Sequence, residues 1–399
     1  MRENPLVKYH EFRKLFLARI ISAIGDKFFS LSLVWYVISK YQKGYYLSLI
    51  MTAIFLPSVI FSPLMGTLSD RYNKKILMIF ADLIRFSFLS ILFFLISKEI
   101  FSFAILFTIV FLIYSFAPLF ETSTASSLKI LTSDEDLPRA TALDSSSIGI
   151  SNVVGAALGS VFIAVLGFKG CVLLNAITYF LSFIFVYQIR KNLLIREENK
   201  SSYFNDLKDG FFYIKNEKKF ILKLLIFFGI LNFFVSPILM LIPVIVRFIL
   251  EKEVKWLAII ETFFATGTLI ASYLLSFKKD IVKNIEYLMI SVLVFAISFF
   301  ATAFIKMPYL TAFLIFICGF SISAGNVLIL SYFQKEIDDE YKGRFFSLIN
   351  TIVYSIMPLS FIINGFLIEK ITVKNTILLN SLFAFMLGIY GFTKLSEKG

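Results

Sequence analysis

Long apolar runs separated by short polar segments dominate the chain. They fall at about 16–39, 45–67, 76–97, 100–121, 142–166, 170–189, 220–247, 256–277, 286–305, 308–333, 345–368 and 374–393. Each is close to the roughly 20 apolar residues that cross a bilayer core as helix. The runs are continuous rather than alternating with period two, so they predict helices and not barrel strands. The pattern predicts an all-α integral membrane protein of twelve transmembrane helices. The longest polar interruption, 190–219, divides it into an N-terminal six-helix bundle (1–190), a linker (191–219) and a C-terminal six-helix bundle (220–399). Within the linker, Tyr203, Phe204, Leu207, Phe211 and Phe212 interleave with Asp206, Lys208, Asp209 and Lys215. That mixture predicts an amphipathic helix lying on the membrane surface, with a solvated linker as the alternative.

Composition agrees. The chain is 58% hydrophobic and 17% charged, against about 45–50% and 25% for soluble domains. A net charge of +12 would suggest a nucleic-acid partner in a soluble protein. Here the basic residues sit in short loops between spans, so the lipid bilayer is the expected partner and nucleic acid is not. With an inside N-terminus, and Arg19 counted in the leading segment, inside segments hold 28 Lys and Arg and outside loops hold 10. That bias predicts an inner (cytoplasmic) membrane protein with both termini cytoplasmic. The first run carries Asp26 and Lys27, is longer than a signal h-region and lacks a small-x-small cleavage site, so it reads as a span. Cys171 and Cys318 lie in apolar runs, and the single histidine, His10, lies in the polar N-terminal arm. No metal site, cofactor or intramembrane histidine chemistry follows from them. No G-x-x-x-x-G-K-[ST] loop occurs, and nothing in the chain points to an enzyme.

The two halves echo one another. Asp134-Glu135-Asp136 followed by Arg139 precedes span 5, and Asp338-Asp339-Glu340 followed by Arg344 precedes span 11. The same cluster at the same loop of each half predicts two pseudo-symmetric six-helix repeats, a transporter architecture.

Between spans 2 and 3 the chain reads Gly66-Thr-Leu-Ser-Asp70-Arg71-Tyr-Asn-Lys74-Lys75. This resembles the signature loop of the major facilitator superfamily, G-x-L-x-D-R-x-x-[RK]-[RK]. The resemblance implies that Gly66 permits close helix approach and that Asp70 accepts from the N-terminus of span 11, where Arg344 lies. Arg71 would join a charge network, with Glu121 as its acid, and Lys75 completes the motif. A plain positive-inside turn would also place basic residues here. The corresponding loop of the second half, Ser276-Phe-Lys-Lys-Asp280, lacks the glycine and the Asp-Arg pair. In span 5, Ser151, Gly155, Ala156, Gly159 and Ser160 are similar to the superfamily's antiporter signature, G-x-x-x-G-P-x-x-G-G, with the proline missing. Gly155 and Gly159 also make a small-x-x-x-small packing face. Further stretches resemble the macrolide-efflux and siderophore-exporter-like permeases of the superfamily: Gly25-Asp26, Ala81-Asp82-Leu-Ile-Arg85, Phe120-Glu121, Asp206-Leu-Lys-Asp-Gly210 and Lys342-Gly343-Arg344.

Ionisable groups inside spans are costly and mark function by default. Asp26 lies about ten residues into span 1, near the midplane at helical rise, where it could carry a proton or bind substrate. A partner such as Lys27 is the structural alternative, although Lys27 points about 100° away around the helix. Glu261 in span 8 is a second protonatable candidate, or a partner for Arg247. Asp82 and Arg85, at i,i+3, can pair on one helix face as a gating or structural unit. Trp35, Trp256 and Tyr309 read as interfacial aromatics, Tyr36 as one of these or as a lining for a hydrophobic substrate. Asn232 and Asn326 could contact substrate or bond between helices.

The expected function is secondary transport: a monomeric exporter of a small amphipathic molecule, driven by protons. The rivals are a nutrient-uptake symporter, which predicts several polar residues converging on a cavity, and a membrane scaffold or sensor, which predicts tolerance of Asp26 neutralisation. The membrane half of an ATP-driven pump fits the six-plus-six repeat less well.

Overall fold

The computed structural model describes residues 4–194, 203–277 and 285–395. Among these the structure is helical: α1 Pro5–Lys8, α2 His10–Tyr41, α3 Gly44–Arg71, α4 Lys74–Ser97, α5 Phe103–Ser115, α6 Ala117–Leu131, α7 Leu137–Tyr187, α8 Tyr203–Glu217, α9 Lys219–Val235, α10 Ile238–Val244, α11 Val254–Ser276, α12 Ile285–Thr302, α13 Pro308–Glu336 and α14 Lys342–Lys394. Ten helical stretches of the described residues are long and apolar enough to cross a membrane. One combines α5 with α6, and another runs through α9 and α10 and ends in a π-helical turn, Ile245–Ile249.

Local sequence sets the boundaries. The Asn73 side chain accepts from the Lys75 amide and starts α4, and Ser102 caps α5 through the Ile105 amide, each satisfying an end N–H. The α9–α10 break falls at Ser236-Pro237, where proline has no N–H to continue the ladder.

Two helices are far longer than a span. α7 has 51 residues and α14 has 53, about 75–80 Å at helical rise against a bilayer core of about 30 Å. Each contains one non-helical residue, Gly167 (φ 63°) in α7 and Thr372 (φ 78°) in α14. Glycine adopts positive φ without cost, whereas a β-branched residue there is strained. Both residues lie thirty positions after the first residue of their helix, between the runs expected as spans 5 and 6 and as spans 11 and 12. The repeat is thus built into the backbone.

The side-chain distribution is that of a membrane protein. Large apolar residues such as Ile60, Phe94, Val165, Ile297 and Phe366 are exposed, while Ser123, Ser127, Ser182, Thr302, Asn364 and Asn380 are buried. With lipid outside, small and polar groups gain most by meeting one another between helices.

By contact the chain divides into two units, 1–36 with 53–200 and 37–52 with 201–399. In the first, Phe12, Leu15, Met78, Leu119, Phe120 and Val186 belong to one buried cluster. In the second, α13 packs on α11 and α12, and Gly365 of α14 lies so close to Ser48 that a Cβ would come within 2.4 Å of its Cβ.

Candidate functional site

The second half of α7, beyond Gly167, presents Asn175, Tyr179 and Ser182, spaced i, i+4, i+7 on one face. Across from them stand two carboxylates of the first unit. Asn175 donates to Asp26 of α2 (3.3 Å), and the Tyr179 hydroxyl donates to the same Asp26 oxygen. Ser182 donates to Asp82 of α4 (2.7 Å). Asp82 in turn pairs with Arg85 at 2.6 Å, the i,i+3 pair expected from the sequence. Arg85 lies over the Tyr179 ring at 4.3 Å and the Phe120 ring at 5.1 Å. Asp82 and Arg85 are almost wholly buried, at 0% and 3% exposure. One helix face therefore holds both acids, and an aromatic ring links them through the guanidinium.

Close backbone approach makes the arrangement possible. A Cβ on Gly25 would lie 2.1 Å from the Thr178 hydroxyl and 2.4 Å from the Asn175 amide oxygen, so only glycine lets Asp26 reach Asn175 and Tyr179. On another side of α2, Gly155 lies against the Lys27 stem and Gly159 against Leu31 and Phe28. The small face of the antiporter-like stretch thus packs on the helix that carries Asp26.

A second, partly buried ion pair in this unit, Arg19 with Asp144 at 2.7 Å, was not singled out from the sequence. Both residues lie inside apolar runs, which was the available signal. Asn175, Tyr179 and Ser182 were also missed; their i, i+4, i+7 spacing in an apolar run is the pattern that could have found them.

Other expected residues are placed differently. Gly66 has open space where a Cβ would stand, so it makes no close helix contact. Arg71 closes α3 as an exposed residue, and among the described residues no ion pair joins it to Glu121. Lys75 donates to the Ile189 carbonyl (2.7 Å) and lies over Tyr187, and the Lys74 amide donates to the Leu193 carbonyl. The basic end of the loop thus docks onto the segment that follows α7. Tyr36 stacks on Phe168 at 4.4 Å and touches Phe101, ten residues and about 15 Å along the helix from Asp26. Glu261 forms no ion pair with Arg247 among the described residues, and Arg247 sits in the π-helical turn. Asn232 and Asn326, by contrast, line one cavity of the second unit. The Lys278–Asp280 part of the second-half loop lies outside the described residues.

The echoed acidic clusters fold alike. Asp136 accepts from Tyr9 (2.9 Å) and pairs with Lys8 (2.6 Å), with Arg139 at 3.8 Å. Asp338 accepts from Tyr213 (2.6 Å) and pairs with Lys218 (3.5 Å). In each half, the segment leading into the bundle's first helix supplies a tyrosine and a lysine to the loop before its fifth. α8 buries Gly210, Tyr213 and Ile214 and exposes Phe211 and Phe212, as an interfacial helix does. Gly210 packs on the backbone of Arg344, with a Cβ placed 3.2 Å from the Arg344 carbonyl, and Arg344 lies over Tyr341.

The Lys8 and Tyr9 hydrogen bonds hold the Asp136 carboxyl below its ordinary value, and the Tyr213 hydrogen bond does the same for Asp338. Burial and the Asp338 carboxylate push Tyr213 up to about 12. A depressed carboxyl stabilises the fold above its unfolded value, about 3.9, and loses that contribution as the pH falls through the lowered one. The two ties therefore stay formed from about pH 5 to 8. Tyr213→Phe and Asp338→Asn should each lower the thermal midpoint in detergent, and the double variant should fall little further than the worse single. Additive losses would show that the two groups do not interact.

The comparisons with known proteins agree with this architecture. The chain is 25% identical over 381 residues to macrolide efflux protein A of Streptococcus pyogenes, covering 93% of this chain and 92% of that protein. It is 27% identical over 316 residues to macrolide efflux protein A of Enterococcus faecalis, covering 76% and 95%. BacE of Bacillus subtilis, described as a bacilysin exporter, is 24% identical over 339 residues, covering 84% and 82%. Among solved structures, the nucleoside transporter NupG superposes with a TM-score of 0.75 at 15% identity, over 98% of this chain and 99% of that one. A POT family transporter in complex with 5-aminolevulinic acid gives 0.77 at 12%, over 98% and 96%; at these identities the likeness speaks to fold alone. The family model of the Major Facilitator Superfamily matches residues 15–361, so the chain belongs to the Major Facilitator Superfamily and is a multi-pass membrane transporter rather than an enzyme.

Proposed function

We propose that the protein is a proton-coupled exporter of an amphipathic organic compound of macrolide or siderophore type. It works by alternating access from a twelve-span fold with both termini cytoplasmic. The observation that carries the reading is Asp26: a carboxyl set near the middle of a span, held by Tyr179 and Asn175, with the Asp82–Arg85 pair on the same face of α7. A carboxyl in that position exchanges a proton or a cationic group, and its hydrogen-bond partners register which state it is in. The exporter relatives, similar over most of their length, favour efflux of an organic molecule. The basic bias of the inside loops favours the orientation. Arg139 and Arg344 at the repeated loops, with Asp70, Arg71, Lys75 and Glu121, belong to gating. Glu261 is the second candidate for proton transfer, and Asn232 and Asn326 are substrate contacts.

The test is transport in proteoliposomes under an imposed pH gradient, using lipophilic cations and macrolides and comparing wild type with Asp26→Asn. Gradient-driven efflux that Asp26→Asn abolishes is the expected result. Efflux that survives the substitution would move coupling to another acid, with Glu261 next. Accumulation in the direction of the proton gradient would make the protein an uptake symporter. No movement of any panel member would return weight to a scaffold or sensor of the same fold.

A further inference from the structure

The polar cluster of the first unit is built on α2, α4 and α7, the first, third and sixth spans of that half. The backbone repeat gives each of these a counterpart in the second unit. Asn175 lies eight residues beyond the bend at Gly167, and Asn380 lies eight beyond the bend at Thr372. Asn175 addresses the Asp26 carboxylate of the first helix of its bundle. Asn380 donates to the Asn364 amide oxygen (2.5 Å), Asn364 donates to the Ser360 backbone carbonyl (2.9 Å), and the Ser360 hydroxyl donates to the Phe233 carbonyl on α9, the first helix of the second bundle. The same helix position thus reaches the same neighbour, through a carboxylate in one half and through amides and hydroxyls in the other.

Beside that chain, wholly within the second unit, α9, α12 and α13 line a half-open cavity of about 40 Å³. These are the first, third and fourth spans of their half. The wall contains no charged residue. Asn232, Ser291, Ser321 and Asn326 supply the polar atoms, and Phe228 and Phe295 supply apolar walls. Gly325 keeps the cavity open, since a Cβ there would come within 3.0 Å of the Ser291 hydroxyl. Asn232 spends one amide hydrogen on the Phe228 carbonyl, and Ser291 spends its own on the Leu288 carbonyl, so Asn232 keeps a second amide hydrogen and its oxygen, and Ser291 keeps acceptor capacity. Asn326 is exposed and makes no hydrogen bond among the described residues.

We propose that this cavity is the specificity pocket for one uncharged hydrogen-bonding substituent of the substrate, of the size of a hydroxymethyl or carbonyl group. The volume exceeds what a single water needs and is far below that of a whole drug, so the body of the ligand stays outside it. Amide and hydroxyl walls recognise hydroxyl, ester or amide groups and give a cation nothing to pair with. The proposal rests on the export reading for its substrate class, but not on proton coupling.

The test measures equilibrium binding to the purified protein in detergent with two probes. Erythromycin carries hydroxyl and ester groups; tetraphenylphosphonium is cationic and has no hydrogen-bonding group. Asn232→Leu and Asn326→Leu should weaken erythromycin binding roughly ten- to a hundred-fold, the range for stranding a polar ligand group, and leave tetraphenylphosphonium within two-fold. Asn326→Ser, which keeps a hydroxyl, should retain most of the erythromycin affinity and guards against a folding defect, as does a monodisperse gel-filtration profile. Equal loss for both probes, no loss for either, or absence of erythromycin binding by wild type would overturn the pocket. Erythromycin binding with the expected mutant pattern, but no gradient-driven movement, would sink the coupled-export reading and leave the pocket standing.

Discussion

Arg85→Met should cost the folded protein about 3–5 kcal/mol, the range for stranding one partner of a buried ion pair. Asp82 is fully buried and Arg85 nearly so, 2.6 Å apart. Methionine fills much of the same space against Tyr179 and Phe120, so the loss is chiefly electrostatic. Asp82 would keep only the Ser182 hydroxyl, too little to replace a guanidinium. The double variant Asp82→Asn with Arg85→Met should recover most of the loss, because it removes both charges and leaves an amide that Ser182 can still engage. Thermal midpoints in detergent and the yield of monodisperse protein measure both. A single variant as stable as wild type would mean that water reaches the pair, and the first-unit cluster would lose its claim to be a closed site. The double variant also separates structure from function. Folded protein that no longer moves substrate would place the charges in the transport cycle; restored transport would make them scaffolding.

Much of this was legible in the sequence because the membrane imposes one-dimensional rules. A run of apolar residues can cross a bilayer only as a helix, and the bends at Gly167 and Thr372 fall where the runs at 142–166 and 345–368 end. The Asp82–Arg85 pair followed from i,i+3 spacing alone, and Asp26 from the cost of an acid in an apolar run. Pairings between helices were harder. Tyr179 and Asn175 meet Asp26 because Gly25 brings α2 and α7 together, and no local rule fixes the rotation of one helix against another. Arg19 was counted with the charged leading segment, yet it turns inward to Asp144, since a long side chain at a span's end can snorkel or pair. Gly66 shows the opposite error. A motif glycine was expected to mark a close approach, and the structure leaves space beside it. Asn232 and Asn326 were legible only as two separate amides in apolar runs; their meeting at one cavity depends on how α9, α12 and α13 come together in three dimensions.

Gly267→Ala and Gly319→Ala should each destabilise the second unit by about 2–3 kcal/mol, the upper part of the range for overpacking. The contact is reciprocal. A Cβ on Gly267 of α11 would lie 2.3 Å from the Phe316 carbonyl oxygen of α13, and one on Gly319 of α13 would lie 2.3 Å from the Phe264 carbonyl oxygen of α11. Both obstacles are backbone, so no rotamer change relieves them and the helices must part. Parting stretches the bonds that lock the same face, from Ser323 to the Thr268 carbonyl (2.9 Å) and between the Ser272 and Ser323 hydroxyls (2.8 Å). Because one alanine already opens the interface for the other, the double variant should lose clearly less than the sum. Gly66→Ala, placed in open space, is the control and should be neutral or slightly stabilising through helix propensity. Thermal midpoints in detergent read the series, and an additive double variant would show that the two contacts open independently. The displacement also reaches function: Ser321 and Asn326 sit on α13 within two turns of Gly319, so folded alanine variants should bind erythromycin more weakly and keep their affinity for tetraphenylphosphonium.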